Sequence, residues 1–336
     1  MDNKLEMARV VAVDRERFVL AHANKEIPAE MTGKLMFSVE SPLDYPAVGD
    51  WVQVQFVNQD SQAMIHAVGD RKTILKRKTA GKKISHQLIA ANIDTAFIVQ
   101  SLDNNYNLRR LERYLVMVYD AGIQPVVLLS KSDLQDREPI QKKIGDIQSL
   151  YVDIDVLAIS NKTGNGVADL KRMLQPQKVY CLLGSSGVGK TTLLNQLVED
   201  DKFFTRHVRA KDSKGRHATT RRQLITLPNQ AMIIDTPGMR ELGNIAVENG
   251  LQSAFQDIEA LSADCRYQDC SHTQERDCAV LAAVASGSLS NKRYQNYMKM
   301  KKESLFHAMS YLEKKKRDRL FGKMVKEVKK VKKEKF

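Results

Sequence analysis

Within the first 72 residues, apolar positions tend to fall on every second residue, the period of a half-buried strand. Val52, Val54 and Phe56 share one face after the Val48-Gly49-Asp50 turn, and similar segments occupy residues 8–13, 18–21, 34–39 and 63–68. Five short strands in about 70 residues predict a small closed barrel of the OB type in preference to a sandwich. From residue 73 to 240 the pattern changes. Apolar strands at 95–99, 125–130, 156–160, 179–183 and 232–235 alternate with helical periodicity, clearest at 109–119. That predicts a doubly wound α/β sheet with ligand chemistry at the carboxyl ends of its strands. Beyond 241 the chain reads as mainly helical around a cysteine cluster and ends in a basic run. The expected division is a barrel at 1–72, an α/β domain at 73–240, a helical metal-binding domain at 241–313 and a tail at 314–336.

A chain of 336 residues, 43% hydrophobic and 28% charged, has material for two or three domains. It has no apolar run of the ~18 residues that would read as a membrane span. No secretory leader is expected at its N-terminus, so the predicted location is the cytoplasm. Charge is unevenly distributed: residues 291–336 hold 17 Lys or Arg against 5 Asp or Glu, nearly all of the net +13. Such a tail predicts a polyanionic partner. Three of the four cysteines lie between 265 and 278, a clustering that points to a metal in a reducing compartment and away from a disulfide scaffold. Cys181, in an apolar strand, reads as core.

The sharpest motif is Gly184-Ser185-Ser186-Gly187-Val188-Gly189-Lys190-Thr191, a GxxxxGK[ST] sequence after the strand at 179–183 and before a helix expected to start near Thr192. Its glycines let successive amides turn toward phosphate oxygens, Lys190 reaches the β and γ phosphates, and the Thr191 hydroxyl can ligate Mg²⁺. Ser130-Lys131-Ser132-Asp133 ends another strand and resembles the guanine signature [NT]KxD, with Asp133 accepting from guanine N1 and N2. Ser160-Asn161-Lys162 resembles the SAK loop, whose backbone amide meets guanine O6. Asp235-Thr236-Pro237-Gly238 resembles DxxG: Asp235 would hold Mg²⁺ through water, and the Gly238 amide would meet the γ-phosphate. Upstream, Gly215-Arg216-His217-Ala218-Thr219-Thr220 suits a switch, with Thr220, or alternatively Thr219, completing the Mg²⁺ shell.

Cys265, Cys270, His272 and Cys278, spaced C-x4-C-x-H-x5-C, offer three thiolates and an imidazole, a closed tetrahedral set suited to one structural Zn²⁺. The order of the nucleotide motifs is equally informative. The guanine loops at 130–133 and 160–162 precede the phosphate loop at 184–191, the reverse of the usual GTPase order, so the chain reads as a circular permutation.

Together these features resemble the RsgA (YjeQ) family of circularly permuted GTPases, over nearly the whole chain. The resemblance implies a GTPase stimulated by the 30S ribosomal subunit, binding 16S rRNA near the decoding region late in maturation and helping assembly factors leave. It also implies Mg²⁺ with GTP, a monomer and no membrane. His217 is the candidate for orienting the attacking water, because Met239 stands where Ras-like enzymes carry Gln. Ser130 replaces the usual Asn of the guanine motif, which puts a contact to the phosphate loop in question. Asn161 replaces Ala, and Ala218 replaces the first Thr of the family's HTTT. Two rival readings are a nucleotide-regulated RNA-binding protein in which hydrolysis is incidental, and a membrane-surface GTPase using Phe321, Met324, Val325 and Val328 among the lysines.

Overall fold

In the computed structural model, residues 5–14, 17–23, 25–78, 86–151, 153–199, 222–235 and 248–309 are described, with positions 313 and 319. Strands β1 (Glu6–Asp14), β2 (Arg17–His22), β3 (Lys25–Met31), β4 (Trp51–Val57) and β5 (Gln62–Val68) form the N-terminal barrel. β3 runs parallel to β5, and β4 returns to pair with β1, which closes the circuit 1-2-3-5-4-1. Val10, Leu20, Ile27, Val52, Val54 and Ile65 fill its interior.

The count of five strands is as expected, but the third is not the predicted segment. Residues 34–38 lie in helix α1 (Gly33–Ser38), with Val39 its extended C-cap, and its N-terminus is capped by the Thr32 hydroxyl accepting from the Leu35 amide. The strand is Lys25–Met31, where Ile27 and Ala29 point inward and Pro28 pairs with Val19. Proline and alanine are poor strand formers, which hid an alternation that barrel closure enforces.

The α/β part contains β8 (Thr95–Ser101), β9 (Gln124–Ser130), β10 (Asp155–Ala158), β11 (Val179–Leu183) and β13 (Met232–Asp235), all parallel in the order β10-β9-β8-β11-β13. Antiparallel β12 (Arg222–Thr226) extends the sheet beyond β13. Alternate strand residues feed two layers. Ile98, Leu129, Cys181 and Leu183 pack with helices α2 (Leu108–Asp120) and α3 (Arg137–Leu150). Phe97, Val99, Leu128 and Leu182 pack with α4 (Val167–Met173) and α5 (Lys190–Val198). Cys181 is fully buried, as its strand position predicts.

Two connections were not legible beforehand. A hairpin of β6 (Ile74–Lys78) and β7 (His86–Ala91) adds Leu75 and Ile89 to the first layer. The barrel is also continuous with the α/β sheet, because Ala12 and Val13 of β1 pair with Gln223 and Arg222 of β12. An irregularity in the β1–β2 register between Val10 and Ala12 accompanies this change of partner. Val10 faces the barrel interior, whereas Val11 joins the α/β core, the re-aiming expected of a bulge.

The C-terminal part is helical: α6 (Glu248–Ala254), α7 (Gln256–Ala263), α8 (Ala279–Ser286) and α9 (Asn291–Ala308). It docks on α2 through Leu251, Phe255, Ile258 and Tyr297 and through a buried polar network. Arg293 donates to Asp257 at 2.6 Å, to Glu112 at 2.9 Å and to the Tyr151 hydroxyl at 3.1 Å, and Asn296 donates to Glu112. Among the described residues, no helix is long and apolar enough to cross a membrane.

Candidate nucleotide site and metal centre

β8 and β11 are adjacent, but the chain leaves them toward opposite edges of the sheet, so their carboxyl ends flank a topological switch point. Residues 184–189 turn from β11 into α5, which begins at Lys190, two residues earlier than predicted. Gly184 has φ of +146°, and a Cβ there would lie 2.5 Å from the Val99 carbonyl, so the loop closes against the neighbouring strand only with glycine. Lys190 Nζ donates to the Gly184 and Ser185 carbonyls at 2.6 and 2.7 Å, holding the ammonium across the loop. Val188 is buried beneath it, whereas Ser186, Gly187, Thr191 and Thr192 are exposed.

The predicted guanine loops end the two strands beyond β8. Ser160 Oγ donates to Asp133 Oδ1 at 2.6 Å and accepts from the Lys162 and Thr163 amides, each at 3.2 Å. The Ser160 bond holds the exposed Asp133 carboxyl below its ordinary range, fixing it as an acceptor. Ser130 is buried, and its hydroxyl donates to the Val188 carbonyl at 2.6 Å. The shorter side chain therefore keeps a tie to the phosphate loop, answering one question raised by its departure from Asn. Asn161 Nδ2 donates to the Gly189 carbonyl at 2.9 Å. Lys131, at φ +60°, directs its ammonium to Asp103 at 2.6 Å.

Asp103 and Asn105 were not singled out from the sequence. Lys131 and then Ser101 hold the Asp103 carboxyl well below the usual carboxylate range. Asn105 Nδ2 donates to Ser185 Oγ at 3.2 Å. Their one legible signal is an Asp-Asn-Asn run directly after a parallel strand, where ligand loops gather.

Asp235 ends β13 on the other side of the phosphate loop. Burial pushes its carboxyl up to about 6, with Lys190 pulling it back down. The half-buried Asp235 carboxyl at the end of β13 and the exposed Thr191 hydroxyl at the start of α5 are hard oxygen donors of the kind Mg²⁺ takes, so these residues fit that ion by their chemistry. Gly238, His217, Thr219 and Thr220, expected from the sequence at this site, lie outside the described residues.

The geometry of the cysteine cluster suits a metal ion. The ligand atoms of Cys265, Cys270, His272 and Cys278 all lie within 4.8 Å of one another. Cys265 and Cys278 sulfurs are 3.8 Å apart, and His272 Nδ1 is 3.6 and 3.5 Å from them. A tetrahedral ion with Zn–S near ~2.3 Å and Zn–N near ~2.0 Å sets its ligands about 3.5–3.8 Å apart, whereas a disulfide requires about 2.05 Å. The cluster can hold a metal ion and its dimensions are consistent with zinc. Burial, then Lys301, lowers the His272 pKa and favours the neutral imidazole a metal needs. Its other nitrogen, Nε2, lies 3.1 Å from Ser262 Oγ, where an N–H donor leaves Nδ1 facing the thiols. Burial works against ionisation of Cys265, yet hydrogen bonds from the Val280 and Ala279 amides leave its pKa lowered overall.

The RsgA GTPase family model matches residues 68–245. The small ribosomal subunit biogenesis GTPase RsgA 2 of Lactiplantibacillus plantarum is 39% identical over 323 residues, covering 96% of this chain and 90% of the relative. RsgA 1 of Listeria innocua is 41% identical over 300 residues, covering 89% and 84%. Among solved structures, YjeQ from Thermotoga maritima matches with a TM-score of 0.66 at 24% identity, covering 90% of this chain and 99% of that one. YloQ, described as a circularly permuted GTPase, matches at 0.63 and 24%, covering 92% and 98%. With guanine-type loops, phosphate loop and Cys3His cluster in one chain of this fold, and relatives matched along most of its length, the chain belongs to the RsgA GTPase family.

Proposed function

We propose that this chain hydrolyses GTP to GDP on the 30S ribosomal subunit, binding 16S rRNA near the decoding region late in maturation and promoting release of assembly factors. It acts as a cytoplasmic monomer. The observation that carries the reading is the convergence of Asp133, Ser160 and the 184–191 loop at one end of a parallel sheet, although the first two precede the loop in sequence. The relatives' description as small ribosomal subunit biogenesis GTPases supports the ribosomal part.

In this reading Asp133 accepts from guanine N1 and N2, with Lys131, Lys162 and the loop backbone around Asn161 completing the base site. Residues 184–189 and the start of α5 cradle the phosphates with their amides. Lys190 leaves the loop carbonyls for the β and γ phosphates, where its charge offsets what develops during transfer. Thr191, Asp235 and Thr220, or Thr219, hold Mg²⁺, which neutralises phosphate charge when bound. The Gly238 amide meets the γ-phosphate, and His217 orients the attacking water. Cys265, Cys270, His272 and Cys278 hold one structural zinc apart from the reaction.

Comparing GTP turnover with and without purified 30S subunits tests the proposal. The expected result is strong stimulation that His217→Ala reduces on the order of 10²–10⁴-fold while the variant still binds subunits with a non-hydrolysable GTP analogue. Normal stimulated turnover by His217→Ala removes that residue from the chemistry. Absence of stimulation with intact binding favours the RNA-binding protein in which hydrolysis is incidental.

A further inference from the structure

The loops assigned to guanine are tied to the phosphate loop from more than one direction. Ser130 Oγ reaches the Val188 carbonyl and Asn161 Nδ2 reaches the next carbonyl, that of Gly189. From the helix beyond the phosphate loop, Gln196 Nε2 donates to the Asn161 carbonyl at 2.6 Å. Residue 161 is therefore gripped twice by one loop-and-helix unit, once through its side chain and once through its backbone.

The grip is directional. Among the described residues, Asn161 Oδ1 and Gln196 Oε1 are buried with no hydrogen-bond partner, so each amide is held through its nitrogen. Turning either amide over would set an oxygen against a carbonyl oxygen. Space is matched as closely: Gly189 has φ of +96°, and a Cβ there would lie 2.8 Å from Asn161 Nδ2.

We propose that the Asn161 side chain and Gln196 are positioning residues which, with Ser130, lock the base-reading loops to the phosphate cradle. Base and phosphates are then held by one rigid unit, and the nucleotide leaves only when the lock opens. The two departures from the usual motifs are complementary. Ser130 offers one short hydroxyl donor where an amide is usual, and Asn161 supplies an amide donor where alanine supplies none. The inference rests on reading residues 130–133 and 160–162 as the guanine site.

The test is displacement of a fluorescent N-methylanthraniloyl-GDP from the full chain. Asn161→Ala and Gln196→Met should each speed release about 3–10-fold, the effect of losing one net hydrogen bond. Gln196→Glu, which places an acceptor against the Asn161 carbonyl, should be faster still. The double variant should fall short of the product of the single effects, because both bonds hold one residue. Adding Ser130→Asn to Asn161→Ala should slow release again. GDP should raise the melting temperature less in the variants than in the parent, each measured against its own nucleotide-free protein.

Asp133→Asn, measured in parallel, separates the two levels of the argument. If it leaves the preference for GDP over XDP unchanged, the guanine-site reading falls and the lock falls with it. If it shifts the preference while Asn161→Ala and Gln196→Met release GDP within about twofold of the parent rate, the lock alone is wrong. A lower nucleotide-free melting temperature in both variants with an unchanged GDP-induced increase also overturns it, since the residues then serve general stability alone.

Discussion

Asp133 depends for its direction on a residue 27 positions away, because Ser160 Oγ occupies one carboxylate oxygen and leaves the group fixed as an acceptor. Asp133→Asn should weaken GTP binding on the order of 10²-fold or more, the effect of losing charge-assisted hydrogen bonds, and should favour XTP, whose extra carbonyl meets the new amide. Competition of GTP, ATP and XTP against a labelled nucleotide checks this, and an unchanged GTP preference rejects it. The residues at the strand ends were readable because each belongs to a short motif with its own chemistry. Asp103, Asn105 and Gln196 were not. They act through partners up to 80 residues away, and a polar residue near a strand end or on a helix face carries no mark of its partner.

Elements whose interior faces alternate or repeat cleanly were legible, with β11 and β13 found at their observed limits. The strand expected at 34–39 is a helix for a local reason: a Thr32 cap outweighs the apolar run Leu35-Met36-Phe37, of which only Leu35 packs, half-buried, against the barrel core. In the C-terminal part, the segment from Cys265 to Cys278 contains no α-helix or β-strand, and Cys278 directly precedes α8. Zinc is therefore expected to be required for this element. Elemental analysis of protein purified without chelator should give one zinc per chain. Its removal, or Cys270→Ser, should unfold the 265–278 segment, because metal binding in such modules is on the order of 10 kcal/mol of folding free energy. Hydrogen exchange should show protection lost there and kept across β8, β9 and β11. Protein free of zinc with full protection would refute a structural role.

At the scale of the molecule, one sheet and one buried ion network join the barrel, the nucleotide sheet and the metal-bearing helices. Glu112 and Arg293 are 2% and 5% exposed, and burial raises the Glu112 pKa while Arg293 opposes the rise. Arg293→Ala would leave the carboxyl buried without its cation, with Asn296 as its remaining donor, so it should destabilise the chain by roughly 3–5 kcal/mol. Arg293→Met with Glu112→Gln should recover much of that loss, and denaturant unfolding of the single and double variants measures the coupling. The basic tail belongs to this scale as well. Its residues 314–336 contribute twelve Lys or Arg. If they neutralise rRNA phosphates, deleting them should weaken 30S binding and flatten its salt dependence while intrinsic GTP turnover survives. An unchanged salt slope would make the tail a solvated extension, and tighter binding to anionic vesicles than to subunits would favour the membrane-surface reading.

Local chemistry in the sequence determined much of this protein: a phosphate loop needs glycines and a lysine in succession, guanine selection needs a carboxylate after a strand, and a metal cluster needs its thiolates and imidazole close along the chain. Each is encoded within a few residues, so each could be read without coordinates, and the order of the motifs revealed the permutation. Tertiary structure alone decided how the pieces are joined. The pairing of β1 with β12, the seat of Arg293 against Glu112 and the grip of Gln196 on Asn161 bring together residues 35 to 211 positions apart. Hydrogen bonds and ion pairs of that span depend on how whole layers pack, and no periodicity or spacing within either partner's segment records them.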